Sequence, residues 1–286
     1  MNSKLHQILL QNGLSYEDKS IDEDKSRGSK IFINGSHTLT VKEGINDNIL
    51  AIGKQGAGIE HVIVGNIEGS TESLIVADHN NSILDATRAC LEGKGYEIRV
   101  CNIKEVHLHA KDLFSGLRER KVALFIENCR YHKWRIDVPL YEGLRQLYDE
   151  VYENRELLQN RISVYLGSPA VTGNIKGFDE FLETARGHNV KFFMSVQDVS
   201  EIKTVYPHTW ELITSAFPTW IVKGMLSANS ANAVANRLST NQAYKGALSK
   251  KVSITPEDVM FLDPKESLII SSRGFNIILG LQAASA

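Results

Sequence analysis

Apolar residues in this chain gather in short runs of five or six, and longer amphipathic stretches lie between them. Asn48-Ile-Leu-Ala-Ile52, Ser73-Leu-Ile-Val-Ala-Asp78 and Ile162-Ser-Val-Tyr-Leu166 show little of the polar–apolar alternation of a half-exposed strand. Unalternated runs of that length, rich in β-branched residues, predict strands covered on both faces. The same reading places strands at 48–52, 73–78, 97–101, 121–126, 162–166, 191–196, 219–223, 267–271 and 275–280. Helical periodicity predicts helices over 59–68, 82–94, 139–159, 174–187, 208–216 and 228–239. In the third of these, Leu140, Leu144, Leu147, Tyr148 and Val151 form a core-facing stripe. Trp210, Phe217 and Trp220 are expected in the core.

Strand–helix alternation of this kind implies an α/β fold with a mostly parallel sheet and helices on both faces. Two features stand apart from it. Lys30 to Val41 holds two short strand-like runs around Asn34-Gly35, a hairpin signal. The last two strands, joined by Ser272-Arg-Gly274, also read as a hairpin. Residues 1–28 are charged and unpatterned, which suggests a solvated arm, and 29–286 then form a single domain.

Composition narrows the classes. With 42% apolar residues the chain can bury an ordinary core, and a formal charge of −2 gives no global field toward nucleic acid or anionic membranes. The three cysteines, Cys90, Cys101 and Cys129, form no C-x-x-C pair, which suits buried thiols in a reducing compartment. No apolar run reaches the roughly 18–20 residues that span a bilayer, so direct membrane insertion is not expected.

The first candidate site is Gly53-Lys54-Gln55-Gly56-Ala57-Gly58-Ile59-Glu60, between a strand and a helix. It has the spacing of a phosphate-binding loop, G-x-x-x-x-G-K-[ST]. In such a loop glycines let backbone N–H groups wrap a phosphate, a lysine adds charge and a hydroxyl holds Mg²⁺. Here Ile59 stands at the lysine position and Glu60 at the hydroxyl position. A plain strand-to-helix turn, a lost nucleotide site and a working site all remain open on this stretch. A hydrolase of this kind also needs an acidic pair at a strand end, to bind Mg²⁺ and polarise water. Strand 162–166 ends instead in Gly167-Ser168, and Asp179-Glu180 reads as a solvated helix face.

The order of these pieces resembles the type IV secretion coupling proteins, the conjugative DNA-transfer ATPases with a RecA-like motor domain. The likeness spans roughly residues 30–282. It rests on KIFINGSHTLTVKEG, GKQGAGIE, SLIVAD, ILDATRACLEGKGYEIRVCNI, the segment 162–207 and ITPEDVMFLDPKESLIISSRG. The resemblance implies a RecA-like P-loop NTPase fold. Against the family pattern both phosphate-loop positions and the acidic pair are replaced. Residues 104–120 make only a short bridge where the family carries an all-helical domain, and the family's membrane helices are not matched. The resemblance also implies that Arg186 stands at the place of an arginine finger and Gln197 at that of a sensor glutamine. Arg186 reads equally as an ordinary cation at a helix C-terminus.

His107 and His109 could share one strand face, but no third ligand has a fixed spacing to them, so no metal site is expected. Lys133-Trp134-Arg135 is basic and aromatic and is a candidate nucleic-acid contact. The resulting expectation is a coupling-protein-like pseudo-ATPase, with no ATP or Mg²⁺ cofactor bound in the usual mode. Its partners would be proteins of a secretion or conjugation complex, an active coupling ATPase or further copies of itself. Its location would be cytoplasmic, peripheral to the inner membrane through those partners. The alternatives are a nucleotide-hydrolysing enzyme using Lys54 and Glu60 in altered roles, and a nucleic-acid-binding module.

Overall fold

The structure is a computed structural model. It describes residues 28–34, 37–42, 46–78, 81–102, 112–127, 137–156, 160–243, 254–263, 266–271 and 275–280. In chain order the elements begin with β1 (Gly28–Asn34), β2 (His37–Lys42), β3 (Ile49–Ile52), α1 (Ile59–Gly69) and β4 (Ser73–Asp78). Then come α2 (Ser82–Gly93), β5 (Glu97–Asn102), β6 (Val122–Glu127), α3 (Asp137–Glu153) and β7 (Ile162–Leu166). The short helices α4 (Pro169–Thr172) and α5 (Phe178–Thr184) lead to β8 (Val190–Val196). The rest is α6 (Ser200–Val205), α7 (Trp210–Ser215), β9 (Thr219–Lys223), α8 (Ala228–Ala243), α9 (Pro256–Met260), β10 (Glu266–Ser271) and β11 (Phe275–Gly280).

All nine strands expected after the hairpin are present, within one or two residues of the expected bounds. The helices follow less closely. The stretch expected as one helix over 174–187 is helical only from Phe178, because Gly177 (φ 64°) takes a left-handed conformation that a helix cannot pass through. It continues as a 3₁₀ turn, Ala185–His188, which Asn189 (φ 53°) ends. The helix expected over 139–159 runs from 137 and stops at Glu153.

By its contacts the chain divides into two units. One comprises residues 1–62, 195–201 and 217–286, and the other 63–194 and 202–216. In the first unit β1 and β2 pair antiparallel as a sheet of their own, with a register irregularity between Phe32 and Asn34. The other strands follow the order β11-β10-β9-β3. β3 pairs parallel with β9, and β9, β10 and β11 are antiparallel neighbours, which confirms the C-terminal hairpin. Every residue of β3, β9 and β10 is buried, so both faces of these strands are covered. Phe217 and Trp220 are core residues here, and the Arg237 guanidinium lies 4.3 Å from the centre of the Trp220 ring. Burial pushes the pKa of that guanidinium down to about 10.

In the second unit the order β8-β7-β4-β6-β5 is parallel throughout. The stripe on α3 is as expected: Leu140, Leu144 and Leu147 are fully buried, and Tyr148 and Val151 nearly so. Gly143 of the same helix meets Phe114, whose ring would stand 2.2 Å from any added Cβ. Trp210 is only half-buried, against Lys203. Asp78 ends β4 with its Oδ2 accepting from the backbone N–H of Ile83 (3.1 Å) and of Leu84 (2.8 Å). The aspartate therefore holds the start of α2, whose end closes through Gly95 (φ 77°). Arg118 is 2% exposed, and its guanidinium donates to the carbonyls of Asn160 (3.3 Å), Leu147 (3.4 Å) and His188 (2.8 Å). His188 in turn stacks on Tyr148 with ring centroids 4.0 Å apart.

Candidate glycine-loop site

β3 delivers the chain into the loop 53–58 and α1 carries it away. Gly56 (φ 82°) and Gly58 (φ 86°) occupy the left-handed region, which explains why glycine stands at both places. The Gly53 N–H donates to the Val196 carbonyl at 3.0 Å, and the Ala57 N–H to the Lys54 carbonyl at 3.0 Å, so the loop is tied at its start and folded on itself. Gly53 is packed too closely for a side chain. An added Cβ would lie 2.9 Å from Ile59 Cγ1, 3.0 Å from the Lys223 carbonyl and 3.2 Å from Ala57 Cβ. Lys54, Gln55, Gly56 and Glu60 are exposed, whereas Ala57, Gly58 and Ile59 are half-buried. Glu60 lies in the first turn of α1, where a carboxylate favours the positive end of the helix dipole.

The loop rests on the end of β9. Gly224 (φ 68°) turns the chain there, and an added Cβ on it would come within 3.2 Å of Ala57 Cβ. Lys223, the last residue of β9, runs its side chain beneath Gly58: an added Cβ on Gly58 would sit 3.3 Å from Lys223 Cε and 3.7 Å from Nζ. Lys223 is 4% exposed, and its Nζ donates to Ser267 Oγ at 3.0 Å. Burial pushes its ammonium below the ordinary lysine range. Sequence reasoning missed this residue. Its one signal was a charge closing an otherwise apolar strand, Thr219-Trp-Ile-Val-Lys223, just before a glycine.

Gln197 is exposed directly after β8. Beside it, burial pushes the Asp198 carboxyl up, but hydrogen bonds from Ser227, Ser200 and Ser230 outweigh this and hold it below the usual range. Asp198 also accepts from the Ser200 N–H at 2.7 Å, at the start of α6.

The second unit holds the other expected positions. Gly167 and Ser168 follow β7, and Ser168 caps α4 with its Oγ accepting from the Ala170 N–H at 3.1 Å. Arg186 is exposed on the 3₁₀ turn after α5. Asp179 and Glu180 occupy the first turn of α5. Lys133, Trp134, Arg135, His107 and His109 lie outside the described residues. Among the described residues no three His, Cys, Asp or Glu side chains gather as a metal site, and no helix is long and apolar enough to cross a membrane.

Residues 169–258 match the family model described as the TraM recognition site of TraD and TraG. No curated protein matches the chain. Among solved structures, it is similar to the bacterial conjugative coupling protein TrwB in its unbound monoclinic form, with a TM-score of 0.59 at 11% identity over 97% of this chain and 91% of that one. The structure of plasmid coupling protein TrwB with ADP and Mg²⁺ gives 0.59 at 11% identity, over 90% of this chain and 91% of that one. EccC (ATPases 2 and 3) of Thermomonospora curvata, in complex with a signal sequence peptide, gives 0.51 at 10% identity, over 93% of this chain and 42% of that one. At these identities the solved structures speak for the fold, which is the RecA-like P-loop NTPase fold. Together with the matched segment, they bear out the resemblance read from the sequence.

Proposed function

We propose that this chain, which is related to the type IV secretion coupling proteins, works as a pseudo-ATPase: a binding or assembly component of a conjugative or secretion DNA-transfer apparatus. One observation carries the reading. At the two positions where a phosphate loop places its lysine and its metal-binding hydroxyl, the chain has a half-buried isoleucine packed toward Gly53 and an exposed glutamate. The lost contacts are charge-assisted hydrogen bonds worth about 1.5–3 kcal/mol each. The strand end that would hold the acidic pair supports the same reading, since Ser168 is engaged there as a helix cap.

In this reading the fold is kept for its surfaces. TrwB is described as a conjugative coupling protein, and the family model over 169–258 as a TraM recognition site. A protein of the transfer complex, an active coupling ATPase or a further copy of this chain is the proposed partner. The proposed place of work is the cytoplasm, at the membrane only through that partner. The exposed Arg186 is proposed as an intersubunit contact, while Lys54 and Gln197 have no catalytic part.

The test is ATP hydrolysis by the purified chain, with MgATP titrated calorimetrically into it and into an Ile59→Lys/Glu60→Thr variant. The expected result is no turnover by either and MgATP binding gained by the variant. Turnover that disappears when residues 53–60 are altered would sink the reading. Assembly is tested separately, by mixing the chain with a coupling ATPase and measuring the mass of the product.

A further inference from the structure

Between Lys223 and Arg237 the chain has thirteen residues, Gly224 to Asn236, without one ionisable side chain. Much of this neutral stretch is surface. Ala228, Asn229, Asn232 and Asn236 of α8 are exposed. Positions 229, 232 and 236 follow at the three- and four-residue steps that keep to one side of a helix. The charges that bracket the stretch are turned inward. Lys223 is buried, and the Arg237 guanidinium stacks on the Trp220 ring and donates to the Phe217 carbonyl at 2.7 Å. Met225, three residues before α8, is 55% exposed, and Phe261, at the end of α9, is 65% exposed. The two are partners in an antiparallel bridge, secured by the Leu226 N–H donating to the Met260 carbonyl at 3.0 Å, so their side chains lie side by side. α9 packs against α8 and brings one exposed charge, Glu257, a turn before Phe261.

Exposed Met and Phe beside a surface without charge have the composition of an interface core, where charged residues are depleted and Met and aromatic residues enriched. The missing charge also selects the occupant. In a two-fold contact the same patch faces itself, so a charged side chain near the axis meets a like charge. A neutral face escapes that repulsion, and it offers nothing to hold a strongly charged partner. The asparagine carboxamide carries both donors and an acceptor, so it pairs with its own copy. We infer that the exposed side of α8, with Met225 and Phe261, is a two-fold contact between copies of this chain. The two helices cross antiparallel near Asn232, which sets each Met225–Phe261 pair over the C-terminal half of the other copy's α8. Glu257 is left at the rim, in water. A 16-residue helix offers a face about 24 Å long, at the small end of stable interfaces. The dimer is therefore reversible, with a dissociation constant on the order of 10 μM. The inference rests on the assembly part of the proposed function, in which a further copy is one of the partners.

The test is sedimentation equilibrium of the full chain over a concentration series that brackets that constant. The natural chain is expected to pass from a monomer of 31.9 kDa to twice that mass. Asn232→Glu and Asn232→Lys each place like charges at the axis, and each should weaken self-association about tenfold or more. Their melting temperatures, taken where every chain is monomeric, should match that of the natural chain. Mixed in equal amounts, the two variants should recover a dimer, because opposite charges then meet across the axis. If either variant does not fold, Met225→Ser combined with Phe261→Ser takes its place and should weaken association by a similar factor. A natural chain that stays monomeric about tenfold above the expected constant overturns the inference. So does a dimer that none of these substitutions weakens, since its contact lies on another face. A monomeric chain that binds a coupling ATPase, and loses it in Asn232→Glu, overturns it too, because the face then serves a different protein. None of these outcomes touches the pseudo-ATPase reading, which ATP turnover would refute while leaving this contact standing.

Discussion

Two buried cations, one in each unit, show what a folded protein asks of a charge it hides. Arg118 is 2% exposed and Lys223 is 4% exposed, and burial pushes both below their ordinary pKa ranges. The similarity ends there. Arg118 spreads its planar fork over three backbone carbonyls from separate stretches of chain. Its charge is solvated by the protein, and it also joins those stretches. Lys223 has a single hydroxyl, and a glycine above it in place of an acceptor. The first cation makes three hydrogen bonds, although its buried Nε has no partner, whereas the second makes one. The contrast separates a buried charge that ties distant stretches of chain together from one held by a single side chain of the neighbouring strand.

Urea unfolding of substituted chains would break or sharpen that contrast. Arg118→Met should have the largest effect. It removes three hydrogen bonds to backbone carbonyls, two of them buried, at about 1 kcal/mol each, for a loss of roughly 3 kcal/mol. A loss below 1 kcal/mol would mean that water or neighbouring donors replace the guanidinium. Asp78→Ala comes next, because the buried Asp78 side chain accepts from two backbone N–H groups at the start of α2. Removing this cap should cost about 1–2 kcal/mol. Lys223→Met should differ in sign, leaving the chain unchanged or about 1 kcal/mol more stable.

That last effect carries a pH signature. The folded pKa of Lys223 is depressed, so between it and the ordinary lysine value the unfolded chain binds more protons, and stability rises with pH. The advantage of the Met variant should therefore be greatest at neutral pH. It should shrink as pH climbs toward the lysine value of about 10.4. An advantage that does not vary with pH would show that burial leaves the lysine pKa the same in the folded and unfolded chain. The smallest expected change is Glu60→Gln, about 0.3 kcal/mol through the helix dipole alone. A much larger one would make Glu60 part of the site rather than of the helix.

The sheet was legible because its signal is local. Strands such as Ser73–Asp78 and Thr219–Lys223 are apolar between their polar end residues, without the alternation of a half-exposed strand, and both faces are buried. Most of the shortest helices were not legible, α7 (Trp210–Ser215) being an exception. α4, α6 and α9 have four to six residues, too few for a 3.6-residue period to show. α9 did carry a signal in Thr255-Pro256-Glu-Asp258, which forms a capping box in the structure. The glycine loop could be found by its spacing, and so could the loss of its lysine. Lys223 could not, because its closeness to Gly58 depends on β3 pairing with β9, which no spacing along the chain announces.

The serine after β7 bears on history rather than chemistry. Ser168 caps α4, and Pro169 follows at the first helical position, so the strand end is committed to starting a helix. A descendant that regained an Asp-Glu pair at positions 167 and 168 would exchange that serine for a glutamate, which is not among the preferred N-caps. It would forfeit a cap worth about 1 kcal/mol before any gain from catalysis could be selected. Reversal would have to pass through a less stable intermediate. If the chain descends from a hydrolase, this cap acts as a ratchet against the way back.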